Sequence, residues 1–462
     1  MLKKHKRLLG ICILLIILAG CDNPISQPVT ITPLALTPRA TGTVAPVSGT
    51  DWTTYHANNA RTGYVANTPD PGQLTRAWSV QLDEAVYAEP LVIGARVIVA
   101  TEGDTLYALD KSTGNIEWHT NVGTPVPLST LPCGNIDPLG ITGTPVYDPA
   151  TGLVFAVAEI TGPAHILVGI DVATGQVRVR RVVDIPAMDP RANQQRAALA
   201  LYKNMVYVAY GGLDGDCSDY RGTVVASHTN GSGPLLSYQV PTPREGGIWA
   251  ASGPAIDSSG NVYVAVGNGS TTQGAWDHSD SVLRLSPTLA LEDGFAPDQW
   301  AQENAGDVDL GSMGPILLPG GLIFADGKSG QGYLLHADAL GGVGGQAQVA
   351  TICHSFGGAA ALDSTVFVPC VEGLREVQVG SGASLMPGWQ AGGQITGSPV
   401  VGGHTVYSLD SAGGVLYALD SANGTVITTI GVGATSRFAS PTISGNQVFV
   451  GTMTGVAAVT IS

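Results

Sequence analysis

Three short stretches hold residues whose types and spacing can do chemistry. Asp214-Gly-Asp216-Cys-Ser-Asp219 sets carboxylates close together, and such hard oxygens suit Ca²⁺. The closing bidentate Glu of an EF-hand loop is missing, however, so a solvated turn held by Cys217 explains the pattern better. Asp307-Val-Asp309 offers a second acidic pair, and Gly327-Lys328-Ser329 places a cation between small residues. The latter is no phosphate-cradling loop, because the preceding glycine is out of register and Leu322-Ile-Phe-Ala reads as a strand. Gly-x-Ser-x-Gly, His-Glu-x-x-His and Cys-x-x-Cys are all absent, which leaves serine hydrolase and zinc protease chemistry without residues.

The elements that must position these residues are strands. Charged residues make up only 12% of the chain, glycine numbers 62, and short Val/Ile/Tyr runs alternate with Gly, Asp, Asn and Pro, an all-β pattern. Only Pro190 to Leu201 looks helix-capable, and a connecting turn suits it equally. Gly103-Asp-Thr-Leu-Tyr-Ala-Leu-Asp110-Lys-Ser-Thr-Gly114 returns as Gly413-Gly-Val-Leu-Tyr-Ala-Leu-Asp420-Ser-Ala-Asn-Gly424, and self-similarity of this kind marks a repeat architecture. Glu89-Pro90, Thr144-Pro145, Gly253-Pro254, Gly314-Pro315, Ser398-Pro399 and Ser440-Pro441 each open a strand pair, and units around Ala198–Ala209 and Ala359–Pro369 keep the pair without the proline. Eight units of about 51 residues suit an eight-bladed β-propeller of four-stranded antiparallel blades. The last unit supplies only three strands, so Arg76-Ala-Trp-Ser-Val-Gln-Leu82, near the start, is expected to be the fourth and to close the ring.

Residues 1–20 carry Lys3, Lys4, Lys6 and Arg7, then an apolar run and Leu18-Ala19-Gly20-Cys21, a secretory signal with a small-residue cleavage site. The segment resembles a bacterial lipoprotein signal, which implies lipidation of Cys21 and anchoring on the extracytoplasmic side of a membrane. Residues 21–50, rich in Pro and Thr, read as a disordered tether with a reach of roughly 90 Å, and 51–462 as the propeller. The net charge of −15 argues against nucleic-acid binding. Cys133, Cys217, Cys353 and Cys370 form an even set in an exported domain. Three pairings are open to them. The expected one is Cys133–Cys217 with Cys353–Cys370, the latter flanking one strand-turn-strand unit.

The spacing of Ala108, Asp110, Thr113, Gly114 and Trp118 resembles the tryptophan-docking motif of the pyrroloquinoline quinone (PQQ) repeat propellers, and the resemblance extends over the whole of 52–462. That superfamily includes quinoprotein alcohol dehydrogenases and non-catalytic members such as an outer-membrane assembly lipoprotein, so membership alone assigns no activity. Gly246-Gly-Ile-Trp249 and Val262-Tyr-Val-Ala-Val-Gly-Asn268 look like the segment that provides the Trp floor under PQQ and an Asn ligand to calcium. By the same resemblance Asp309 falls at the catalytic Asp and Lys328 at the cation contacting the quinone. Two features depart from the dehydrogenases: no adjacent Cys-Cys exists, and Cys217 stands where their calcium-ligating Glu belongs. The leading expectation is therefore a monomeric, lipid-anchored binding or scaffold module for an envelope or surface protein, or for a small ligand at the central channel. The alternative is a calcium- and PQQ-dependent alcohol or sugar dehydrogenase.

Overall fold

The computed structural model describes residues 50–380 and 382–462. The expected signal, the lipidation site Cys21 and nearly all of the tether lie outside them. The described residues form eight antiparallel sheets, one per repeat. Blade one comprises Leu91–Ile93, Arg96–Ala100, Thr105–Asp110 and Ile116–Asn121. Blades two to seven begin at Val146–Asp148, Ala200–Tyr202, Ala255–Ile256, Ile316–Leu318, Ala360–Leu362 and Val400–Gly402. Blade eight begins at Thr442–Ser444 and ends on Leu74–Gln81, which pairs antiparallel with Gly455–Ile461. The ring is thus closed by strands from opposite ends of the chain, as the sequence predicts, and Gly455–Ile461 is paired on both of its edges.

The repeated turn explains the repeated sequence. Asp110 Oδ1 accepts the N–H groups of Ser112 and Thr113, and Gly114 follows at φ +75°, a backbone conformation costly for residues with a Cβ. Hydrogen bonds from Ser112 and Thr113 hold the Asp110 carboxyl down at about 2. Trp78 of blade eight lies against Gly114 and donates to Lys111 O at 3.0 Å. Trp118 covers Gly175 and Trp389 covers Gly424 in the same way, bonding Val172 O and Ser421 O at 3.0 Å. Each tryptophan ties one blade to the next, filling space that only a glycine leaves.

Pro190–Leu201 takes the connecting-turn alternative, with the two-residue strand Asn193–Gln194 and the start of Ala200–Tyr202. Two features lie outside the sequence reading, of which the first is a seven-residue α-helix, Trp300–Gly306. That helix is too short to show a 3.6-residue period. The second feature is a plug. Residues 50–65 bond in turn to the inner strands or their turns in every blade: Thr50 O takes Ser444 Oγ, Trp52 pairs with Val92, and Thr53 O takes Tyr147 N. Asn59 reaches Leu201 O and Ile256 N, Ala60 reaches Leu317 N, Thr62 reaches Ala361 N, and Tyr64–Val65 pairs parallel with Val401–Gly402. At its centre Arg61 donates to Pro254 O, Leu199 O, Tyr55 O and Thr54 Oγ1. Buried beside it, His56 bonds Ala359 O at 3.0 Å and Ser440 Oγ at 3.1 Å, and burial pushes its pKa down to about 3.

Candidate ligand cavity

A cavity of about 580 Å³ opens among the segments that lead into the inner strands and the turns between second and third strands. One register position of the repeat supplies much of its wall. Tyr87, Thr142, Arg196, Ala251, Phe356 and Phe438 each stand four residues before the inner strand of their blade, and all six line the cavity. Two or three residues further along the same segments, Glu89, Ala359 and Ser440 bond His56 of the plug. The plug therefore closes the channel below, leaving the cavity a mouth on one face.

Trp249, Asn268, Asp309 and Lys328 all converge on this cavity. Trp249 is packed tightly: a Cβ on Gly211 would come within 2.6 Å of Trp249 Cβ, and one on Gly267 would strike both the indole and Asp309. Its ring faces Phe356 and Phe438 at centroid distances of 6.4 and 6.3 Å. Three cations surround this aromatic cluster. Arg196 lies 5.8 Å and Lys328 5.9 Å from the Trp249 ring, while Arg437 lies 4.0 Å from Phe356. Sequence reasoning missed Arg196, Arg437, Phe356 and Phe438. Comparing that one register position across the eight units would have found Arg196, Phe356 and Phe438, and Arg437 is the neighbour of the last.

Asp309 is buried and anchored by the helix Trp300–Gly306, which ends at Asp307 in a left-handed conformation. Asn304, on that helix, takes the Gly269 N–H at 2.8 Å, and Asp280 takes the Leu310 N–H at 2.7 Å. Asp309 Oδ1 accepts the Asn268 backbone N–H at 2.7 Å, and the hydrogen-bonding pattern assigns the Asn268 carboxamide nitrogen, rather than its oxygen, to the side facing Asp309. Asp309 Oδ2 meets Lys328 Nζ at 2.5 Å, and Asp307 Oδ1 meets it at 2.9 Å. Burial pushes the Asp309 carboxyl above its ordinary range despite Lys328. Burial also opposes the Lys328 charge, but the two aspartates outweigh it and hold the ammonium above its usual value. The proton stays on lysine.

The donors for calcium do not fit. Asp309 is engaged by Lys328 and by the Asn268 backbone N–H, and Asp216 Oδ1 takes the Tyr220 hydroxyl at 2.5 Å. Cys217, at the position of the missing Glu, is bonded to Cys133. Among the described residues no three His, Cys, Asp or Glu side chains stand close enough to share a metal. A planar anionic ring does fit. Aromatic faces and three cations line a space within the range of small-molecule sites, ~300–1,000 Å³.

The family model described as outer membrane protein assembly factor BamB matches residues 35–211. Quinohemoprotein alcohol dehydrogenase ADHIIG from Pseudomonas putida HK5 superposes with a TM-score of 0.71 at 13% identity, covering 90% of this chain and 80% of that one. The chain is an eight-bladed β-propeller that resembles the PQQ-repeat propellers. This propeller also superposes on a europium-containing methanol dehydrogenase, TM-score 0.69 at 16% identity over 88% and 91% of the two chains. On BamB from Moraxella catarrhalis the TM-score is 0.59 at 16% identity, over 84% of this propeller and 99% of that chain. At such identities the likeness is one of fold, shared by dehydrogenases and an assembly factor. No curated protein sequence matches this propeller.

Proposed function

We propose that this propeller is an exported binding module whose cavity takes a flat, anionic aromatic molecule of the quinone-cofactor class, held by Trp249 and Lys328. The observation that carries the reading is the convergence of Trp249, Phe356 and Phe438 with Arg196, Lys328 and Arg437 on one closed-bottomed cavity. Stacked rings hold a planar ligand, and cations over ring faces are placed to pair with its carboxylates. The disulfides Cys133–Cys217 and Cys353–Cys370 support an extracytoplasmic location. Anchoring through a lipidated Cys21, with 21–50 as tether and 51–462 as the folded domain, completes the proposal.

One observation favours the dehydrogenase reading: Asp309, a buried carboxylate with a raised pKa, sits in the same cavity. A quinone held there would accept a hydride from an alcohol, and Asp309 would take the alcohol proton. The engagement of Asp309 by Lys328 weighs against it. Titrating PQQ into the purified protein and following tryptophan fluorescence, with and without Ca²⁺, separates the readings. Saturable quenching that needs no Ca²⁺, without dye reduction across alcohols, is the expected result. Ca²⁺-dependent dye reduction would establish the enzyme, and absence of retained quinone at micromolar concentration would end both. In that event the fold leaves protein binding, tested by crosslinking to an envelope or surface partner.

A further inference from the structure

The turn between the second and third strands of blade one carries two carboxylates that the ligand cavity does not use. Glu102 and Asp104 are both buried, at 1% and 0% exposure. Glu102 Oε2 accepts the Gly140 N–H at 2.8 Å and the Thr142 hydroxyl bonds the same carboxyl group, but both Asp104 oxygens have no hydrogen-bond donor. The backbone fixes them there: Glu102 N donates to Ala85 O at 2.9 Å and Asp104 O accepts Val122 N at 2.8 Å.

Other buried oxygens share this region. A Cβ on Gly140 would lie 3.0 Å from Asp104 Oδ1 and strike the Glu102 carbonyl, and one on Gly143 would lie 2.5 Å from Gln195 Oε1. Between those glycines, the buried Thr142 hydroxyl stands against Glu102, and Gln195 Oε1 is buried without a partner. The bare glycines of the loop 140–143 thus let its backbone pack closely against these side-chain and carbonyl oxygens. The third acid nearby is already satisfied. Glu159 accepts Gln195 N at 2.6 Å and faces His165 Nε2 at 3.5 Å, with Asp184 on the other imidazole nitrogen at 2.6 Å. Arg180 and Arg196 act on the cluster only through space, since their hydrogen bonds go to Val122 O and Gln194 Oε1.

Unpaired buried carboxylates are costly. A single proton can bridge only one pair of oxygens, whereas Ca²⁺ takes six to eight at about 2.3–2.6 Å. We infer that the buried oxygen cluster between blades one and two is a Ca²⁺ site, with Glu102 and Asp104 as charged ligands and Thr142, Gln195 and backbone carbonyls as neutral ones. The ion staples the blade-one turn to the loop that carries Thr142 into the cavity wall. This inference stands whether or not the cavity binds a quinone.

The test uses chelator-stripped full-length protein in detergent, titrated calorimetrically with Ca²⁺ alone. One ion per chain is expected, with Kd on the order of 0.1–1 mM as in extracellular modules, and Tm rises by a few degrees at saturation. Glu102→Gln and Asp104→Asn, which keep side-chain shape, each weaken binding at least tenfold and abolish the Tm response. Asp309→Asn keeps the ion. No heat with the unaltered protein up to about 10 mM Ca²⁺ overturns the inference, as does full binding by the Glu102→Gln/Asp104→Asn pair. Binding lost in Asp309→Asn but kept in Asp104→Asn would place the ion in the cavity instead and overturn it too.

Discussion

Lys328 is the residue on which the cavity's charge balance turns. Among the described residues its ammonium is the one cation paired with the buried Asp309 carboxylate, and removing one partner of a buried pair leaves the other without compensation. Lys328→Gln should therefore destabilise the fold by about 2 kcal/mol, and adding Asp309→Asn should restore most of that loss, as read by urea unfolding of the double-mutant cycle. Trp249→Ala should weaken PQQ binding by tenfold or more through lost stacking, leaving the Ca²⁺ response of Tm untouched. His165 adds a pH dependence. Burial opposes its charge, but Glu159 and Asp184 overcome burial and hold its pKa up at about 10 against an ordinary 6.5. A raised folded pKa stabilises most below the unfolded value, so this contribution is complete below about pH 6.5 and drains away as pH climbs to about 10. The difference in unfolding free energy between the unaltered protein and His165→Asn, measured across that window, should shrink toward zero at the alkaline end.

At the scale of elements, the docking turn was the most legible part of the chain. Asp110, Gly114 and Trp118 each carry a local physical demand, a turn cap, a positive φ and a flat ring over a bare backbone, and such demands leave a fixed spacing in sequence. Gly175→Ala tests the demand directly. The added Cβ would lie 2.8 Å from the Trp118 ring at φ +71°, so a loss of about 1–3 kcal/mol is expected on chemical denaturation. The cavity was legible only in part. Trp249, Asn268, Asp309 and Lys328 were found through likeness to a family, whereas Arg196 and Phe438 meet across about 240 residues of sequence and carry no local signature. The Ca²⁺ site was hidden for a related reason, since Glu102 and Asp104 read as an ordinary polar turn until burial strips away their solvent. The Cys133–Cys217 bridge ties the loop after blade one to a turn of blade three, both bordering the cavity. Replacing the pair by serine should cost up to about 4 kcal/mol and speed ligand release in a stopped-flow chase.

For the whole molecule, closure and plug make one device from residues 50–81. Leu74–Gln81 completes blade eight, and 50–65 bonds to all eight blades around the axis. Composition could reveal neither role of the plug, because its bonds are mostly made by backbone groups that any sequence possesses. Its entry point has a consequence for orientation. Thr50 and Asp51 bond Ser444 and Gly94, at the turns that follow inner strands, whereas the cavity is lined by the segments that precede them. Residues 50 and 51 thus join the propeller on the face opposite the segments that line the cavity. A chain beginning at Leu82 would lack both plug and closing strand and expose the edge of Gly455–Ile461 for pairing with other chains. It should elute as aggregate on size-exclusion chromatography, and a synthetic 50–81 peptide added during refolding should return a monodisperse species that binds PQQ. If the shortened chain alone is monodisperse with an unchanged Tm, the N-terminal segment does not close the ring in solution.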